Sequence, residues 1–260
     1  MKFFTKNGVR FLTFDIFPKN VRHAIFTRHG GLSPDPWNSL NVGGTVGDVA
    51  ERVRKNRFLS FQTLDINPQT YYDVWQIHSA DVVVANSPHD DPRKNLLKAD
   101  AIITDKLGLS LFMRFADCTP IFLYDPQKNA IGIVHSGWLG TVKKVAAQAV
   151  KMMEAVYGSA PEDVLAAIGP AIGPDHYEIG ENVINQIKLA FGVNAEDLLI
   201  PVNGSTHLDL WSANRLILEE AGVRNIELSY QCTACHTEDW YSHRGDKGKT
   251  GRFGALISLV

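Results

Sequence analysis

Cys118 lies in Arg114-Phe115-Ala116-Asp117-Cys118-Thr119-Pro120, and His135 lies in Ile131-Gly132-Ile133-Val134-His135-Ser136-Gly137-Trp138. His78 has the same setting in Tyr71-Tyr72-Asp73-Val74-Trp75-Gln76-Ile77-His78-Ser79-Ala80. Each follows an apolar run that reads as a strand and precedes small or turn-forming residues. Such positions fix a side chain on rigid backbone and leave one side open. Two imidazoles and a thiolate are metal ligands. With three protein ligands, a tetrahedral zinc keeps a fourth position for water, which is the catalytic rather than the structural pattern. The same set describes a blue-copper centre with a weak axial methionine. Met113 is the nearest methionine, but an odd offset from Cys118 along a regular strand puts the two on opposite faces, so zinc is preferred to copper. Asp117 beside the cysteine reads as a base toward bound water, as a carboxylate orienting a ligand, or as a cap for the turn before Pro120. A metal-free enzyme would use Cys118 as nucleophile with His135 or His78 as base, and residue types alone do not separate these readings.

Two further stretches carry chemistry. Cys232-Thr233-Ala234-Cys235-His236 has the c-type haem spacing, and the same residues suit a second metal site, a redox pair or a plain loop with free thiols. The run from Ser242 to Arg252 is basic and glycine-rich. It misses the phosphate-loop spacing, yet Arg244, Lys247, Lys249 and Arg252 on such a turn could hold an anion. Arg28 on an early loop is another anion-holding candidate.

The elements that must position these groups sit in a chain of 260 residues, 45% hydrophobic, with a formal charge of -2. That balance gives no reason to expect nucleic acid or an anionic membrane as a partner. No apolar run is long enough to span a bilayer. The opening Met1-Lys2-Phe3-Phe4-Thr5-Lys6 lacks a signal core, and three cysteines suggest reduced thiols, so a cytoplasmic protein is expected.

Strands are expected at 9–17, 21–28, 70–78, 81–85, 100–104, 109–116, 120–125, 130–135, 164–168, 225–230 and 253–259. Helical spacing covers 48–64, with Asp48 as N-cap, and 141–157, which Gly158 ends. Further helices are expected near 180–191 and 209–221. Residues 28–41 form a long Gly/Pro/Asn/Ser-rich loop, 86–95 a polar loop and 169–174 a rigid Gly-Pro turn. Strands and helices mix without regular alternation, so the reading is α+β, a single domain of mixed sheets flanked by helices over 1–260.

The chain resembles the YfiH-type laccase-domain family, once called polyphenol oxidases and now described as purine nucleoside phosphorylases. The resemblance runs from Thr27-Arg28-His29-Gly30-Gly31-Leu32-Ser33 and Leu40-Asn41-Val42-Gly43 through Gln76-Ile77-His78 and Ala99-Asp100-Ala101. It continues in Ala116-Asp117-Cys118-Thr119-Pro120 and His135-Ser136-Gly137-Trp138-Leu139-Gly140-Thr141. Ile168-Gly169-Pro170-Ala171-Ile172-Gly173-Pro174, Tyr177-Glu178-Ile179-Gly180, Cys232-Thr233 and Gly248-Lys249-Thr250-Gly251-Arg252 complete it. It implies zinc on His78, Cys118 and His135 and phosphorolysis of adenosine, inosine, guanosine and methylthioadenosine. Adenosine deamination is implied as a further activity. It also implies an α+β fold similar to that of a cysteine-dependent toxin deamidase, the cytotoxic necrotizing factor. On this view zinc-bound water attacks C6 of adenosine, Asp117 shuttles the proton, and Arg28 and Asn41 contact phosphate or ribose. The chain departs from the family at Leu139 and Gly245, where arginines are usual, and at Ala171, where a cysteine is frequent. The lost arginines put phosphate handling in question more than the metal ligands.

Overall fold

The computed structural model describes residues 1–89 and 96–260, and part of the expected polar loop at 86–95 lies outside the described residues. Two sheets of six strands dominate. In the first the order is β1 (Lys2–Lys6), β2 (Val9–Thr13), β3 (Val21–Phe26), β14 (Phe253–Leu259), β7 (Ser110–Phe115) and β4 (Tyr71–Tyr72). In the second it is β13 (Asn225–Leu228), β10 (Leu165–Ile168), β8 (Thr119–Asp125), β9 (Ala130–Ser136), β6 (Ala101–Thr104) and β5 (Val82–Val84). Pairing is antiparallel apart from β4 on β7, β5 on β6 and β10 on β13.

Period-two alternation stacks these sheets. Leu111, Met113 and Phe115 of β7 meet Phe122 and Tyr124 of β8 and Ile131 and Ile133 of β9 between the sheets. The intervening Phe112 turns outward with Leu256 to meet Phe61 of α1 (Ala50–Thr63). Ile121, Leu123 and Val134 turn outward on the other side. There they pack against α3 (Val145–Tyr157), α4 (Glu181–Phe191) and α6 (Leu210–Glu220). The result is a four-layer helix–sheet–sheet–helix domain of α+β class. Central strands covered on both faces explain why they read as continuous apolar runs. No helix among the described residues is long and apolar enough to cross a membrane.

Several expectations need correction. The strand at 70–78 is only Tyr71–Tyr72, so His78 sits in irregular backbone with φ of 58° and not at a strand end. The helix at 141–157 is two pieces, α2 (Trp138–Val142) and α3, broken where Lys144 adopts φ of 56°. Gly158 does end α3 in left-handed backbone. Asp48 is not the N-cap of α1; Val49 is, and its side chain caps nothing. Instead the Asp48 carboxylate accepts from Ser33, Asn41 and Arg52 and ties the 28–41 loop to the helix.

Two hairpins escaped the sequence reading. β1 turns into β2 through Asn7-Gly8, and β11 (Leu199–Val202) into β12 (Ser205–Leu208) through Asn203-Gly204. All four turn residues have positive φ. Asn-Gly between strands is the strongest short hairpin signal, and it was there to be read. The short α5 (Ala195–Leu198) precedes β11.

Met153 is fully buried where α3 packs on the second sheet. Met153→Ala should therefore cost about 2–5 kcal/mol in urea unfolding, whereas a loss below about 1 kcal/mol would mean that this face is not a packed core.

Candidate metal centre

His78, Cys118 and His135 come together from three separate segments, their donor atoms all within 4.8 Å of one another. His135 stands at the end of β9, and Cys118 on the turn between β7 and β8, immediately before β8. His78 arrives on a coil. Gln76 fastens that coil to β7: its Oε1 accepts from the Arg114 backbone N–H at 3.0 Å and its Nε2 donates to the Arg114 carbonyl at 2.8 Å. The Arg114 guanidinium reaches back to buried Asp73 at 2.7 Å.

The remaining anchor is Asp100, fully buried before β6. Its Oδ1 pairs with His135 Nδ1 at 2.8 Å. Its Oδ2 accepts from the backbone N–H groups of Ser79 at 2.5 Å and Ile77 at 3.2 Å, on either side of His78. One carboxylate thus holds both histidine-bearing segments. Because Nδ1 of His135 is engaged, Nε2 faces the cluster; a carboxylate behind a ligating histidine is the usual support in metal sites. Cys118 Sγ lies 3.8 Å from His78 Nε2. Gly137 leaves room for the sulfur, since a Cβ there would approach Cys118 Sγ to 2.7 Å and His78 Cδ2 to 3.3 Å. Beyond it Ser136 bonds Asn214 at 2.7 Å and Thr141 at 3.1 Å, which pins the end of β9 to α2 and α6.

The electrostatics favour a thiolate on Cys118 and a protonated His135, whose proton a bound metal would displace. Burial alone would raise the Cys118 thiol, but the charge and hydrogen bond of His135, with His78 beside them, bring it down to about 6. Burial pulls His135 down, yet the Cys118 thiolate and the Asp100 carboxylate carry it up to about 9. Burial opposes ionisation of Asp100 as well, but His135 and Ser79 hold it at about 2. Without metal the pair rests as thiolate and imidazolium. Two imidazole nitrogens and a thiolate, with a carboxylate behind one ring, fit a soft or borderline divalent cation.

Asp117 lies beside the cluster with φ of 81°. It does not cap the turn before Pro120. Its Oδ1 accepts from Thr233 Oγ1 at 2.7 Å and its Oδ2 from the Arg244 backbone N–H at 2.7 Å. Arg252 is half-buried; burial weakens its charge, which Cys118 and Asp117 support. Its guanidinium makes one hydrogen bond among the described residues, to the carbonyl of Gly251. Arg244 lies over the Tyr177 ring, 5.4 Å from its centroid. Burial and then the nearby Cys118 charge push the Tyr177 phenol well above its ordinary range.

Arg28 donates to the carbonyls of Asn38 and Thr237, both at 2.7 Å, and covers the Tyr241 ring at 4.7 Å. Asn41 is fully buried, and its amide is consumed by Gly43, Asp48 and Arg252. These four hydrogen bonds occupy the Asn41 amide and tie the loop to Asp48 and Arg252. Lys247 and Lys249 are exposed on a turn closed by Asp246, which accepts from Thr250 at 2.6 Å. Met113 is entirely buried in β7 opposite Ala255. The roles of Asp100 and Gly137 were missed in the sequence, although both lie in the stretches that carry the resemblance.

Stacked mixed sheets with a His–Cys–His cluster at their edge define a laccase-like domain with a candidate metal centre. The chain belongs to the family described as "Multi-copper polyphenol oxidoreductase laccase", whose model matches residues 22–260. It is 36% identical over 239 residues to a protein of Deinococcus radiodurans named "Purine nucleoside phosphorylase", covering 92% of this chain and 89% of that one. It is likewise 36% identical over 244 residues to "Purine nucleoside phosphorylase YlmD" of Geobacillus stearothermophilus, covering 90% and 88%. The crystal structure of YlmD from that organism superposes with a TM-score of 0.92 at 32% identity, covering 99% of this chain and 98% of the other. The Bacillus licheniformis hypothetical protein YfiH superposes at 0.90 with 32% identity and 99% of both chains covered.

Asp100→Asn should weaken metal binding about 10–100-fold in a competitive chelator titration, because it removes the carboxylate that orients His135. In metal-free protein, alkylation of Cys118 followed by peptide mass mapping should accelerate as pH rises through about 6 and level off above it. The sign follows from the lowered thiol: the reactive thiolate is already formed above that value, while an ordinary cysteine keeps gaining thiolate to about 8.5.

Proposed function

We propose that this protein is a zinc-dependent purine nucleoside phosphorylase of the cytoplasm, acting on adenosine, inosine, guanosine and methylthioadenosine. Hydrolytic deamination of adenosine is the second activity of the same site. The observation that carries the reading is the convergence of His78, Cys118 and His135 beside Arg252. One site thus offers a donor set for a divalent metal and a guanidinium that makes a single hydrogen bond among the described residues. The relatives' names support the nucleoside and phosphate half of the reading; the donor chemistry supports zinc.

In phosphorolysis a phosphate oxygen bonds to C1′ of the ribose as the bond from C1′ to the purine nitrogen breaks. The electron pair leaves with the base, which takes up a proton. Zinc, when bound, supplies a Lewis acid at His78, Cys118 and His135. The protein's own residues do the rest. Arg252 holds the phosphate. Arg28 has guanidinium N–H groups beyond the two used on carbonyls, and offers them to phosphate or ribose. With Leu139 and Gly245 in place of the usual arginines, cations near the cluster among the described residues include Arg252, Arg244 and Lys143, whose Nζ donates to the His78 carbonyl at 3.1 Å. Tyr177 stays a neutral phenol and hydrogen-bond donor. Asp117, with both oxygens engaged, is a positioning residue that holds the Cys118 turn against Arg244, rather than the proton carrier expected from its place in the sequence. In deamination water adds at C6 and ammonia leaves.

A second reading, a copper-dependent polyphenol oxidase, rests on the family's description. A metal-free hydrolase using Cys118 would draw on the lowered thiol instead. Elemental analysis with chromatography of adenosine incubations separates the three. The expected result is zinc, adenine appearing only with phosphate, and inosine appearing without it. Arg252→Ala should raise the KM for phosphate by about tenfold or more, from the loss of a charge-assisted contact, with zinc content unchanged. Copper with no nucleoside turnover would sink the proposal, as would undiminished turnover after metal removal.

A further inference from the structure

A second group of metal-competent side chains lies outside the His78–Cys118–His135 cluster. Asp175 and His176 follow the Gly-Pro turn, and Cys232 and Cys235 belong to the Cys-Thr-Ala-Cys run. Their donor atoms lie within 4.8 Å of one another. All three cysteines of the chain are free thiols, so neither sulfur here is tied up in a disulfide.

We infer that Asp175, His176, Cys232 and Cys235 form a second, structural zinc site, a closed four-ligand centre distinct from the three-ligand one. The spacings suit a tetrahedral ion. His176 Nδ1 lies 3.5 Å from Cys235 Sγ and 3.8 Å from Cys232 Sγ. A tetrahedral zinc with ordinary bond lengths sets sulfur and nitrogen about 3.5 Å apart. Asp175 Oδ2 stands 3.0 Å from His176 Nδ1 and 2.7 Å from Cys235 Sγ, and binding need only spread that last pair by about an ångström.

Cys232 is buried, and its sulfur accepts the backbone N–H groups of Gly173 at 3.2 Å and Cys235 at 3.4 Å. These two bonds fix the position of the sulfur. Gly173 is required by space: a Cβ there would meet Asp175 Oδ1 at 2.5 Å and Cys232 Cβ at 3.2 Å. Two sulfurs and a carboxylate this close repel one another once ionised. A divalent cation bound between them relieves that repulsion. On binding, the two thiol protons leave to solvent, Asp175 remains ionised and His176 binds as neutral imidazole. Thiolates select zinc over magnesium or calcium, and four protein donors leave no open position.

The site would act as a staple. It joins the Gly-Pro turn to the 231–236 segment, which are otherwise linked by the backbone bonds of Ala171 to Gln231 and of Thr233 to Ala171. Thr233, next to Cys232, bonds Asp117, and Ile172 donates its N–H to the Asp117 carbonyl. The staple thus braces the turn that carries Cys118.

The test is the zinc content of reduced, purified protein, with Cys118→Ser as the reference for the three-ligand site. Wild type should hold about two zinc ions per chain, and Cys235→Ala, His176→Ala and Cys118→Ser should each lose about one. Zinc should also protect Cys232 and Cys235 from alkylation. Cys235 and His176 are exposed, so those variants leave the core intact. The inference is overturned if wild type holds a single zinc that only Cys118→Ser removes. It is equally overturned if the Cys235→Ala and His176→Ala proteins keep the full count, or if both thiols alkylate freely at saturating zinc.

Discussion

The carboxylate of Asp100 is the constraint on which the candidate centre depends. It is fully buried, and its two oxygens are divided between the ring of His135 and the backbone around His78. A buried carboxylate that is well bonded stays ionised, and here it holds two ligands from distant parts of the chain in one frame. The frame is stiff because β6 and β9 pair along their lengths beside it, from Ala101 opposite Val134 to Thr104 opposite Ile131. Cys118 enters that frame from the neighbouring strand pair, in which Pro120 lies opposite His135. The sheets fix the approach of Cys118 and His135, and Asp100 ties the coil that carries His78 to the same frame.

Anionic and cationic groups are layered outward from this point. Asp100 supports a positive His135, His135 supports a thiolate on Cys118, and the thiolate with Asp117 supports Arg252. A divalent ion bound to the three donors would take over the role that imidazolium plays without it. Under the proposed function, Arg252 beside the ion is the contact for an anionic co-substrate. Asp117 links the turn that carries Cys118 to the C-terminal segment through Thr233 and the Arg244 backbone.

Much of this was legible in the sequence. The apolar runs of β7, β8 and β9 announced strands buried on both faces, and the three donors stood out because each left such a run for small residues. The setting of His78 misled: Tyr71 to His78 is apolar enough for a strand, but Gln76 and Arg114 bond side chain to backbone where a ladder would otherwise form. Asp100 could not be singled out from its own surroundings, because its role exists only once β6 and β9 are paired. The four hydrogen bonds that bind Asn41 into the loop could not be read from its own surroundings, because their partners lie as far away as Arg252. The two Asn-Gly hairpins carry a local signal in the sequence, since all four of their turn residues have positive φ.

The most direct test is anomalous diffraction from crystals of the purified protein, collected on either side of the zinc absorption edge. The account predicts a peak above the edge that vanishes below it, centred about 2.0–2.3 Å from the ring nitrogens of His78 and His135 and the sulfur of Cys118. Absence of density among those three atoms, or a signal that follows the copper edge instead, would contradict it.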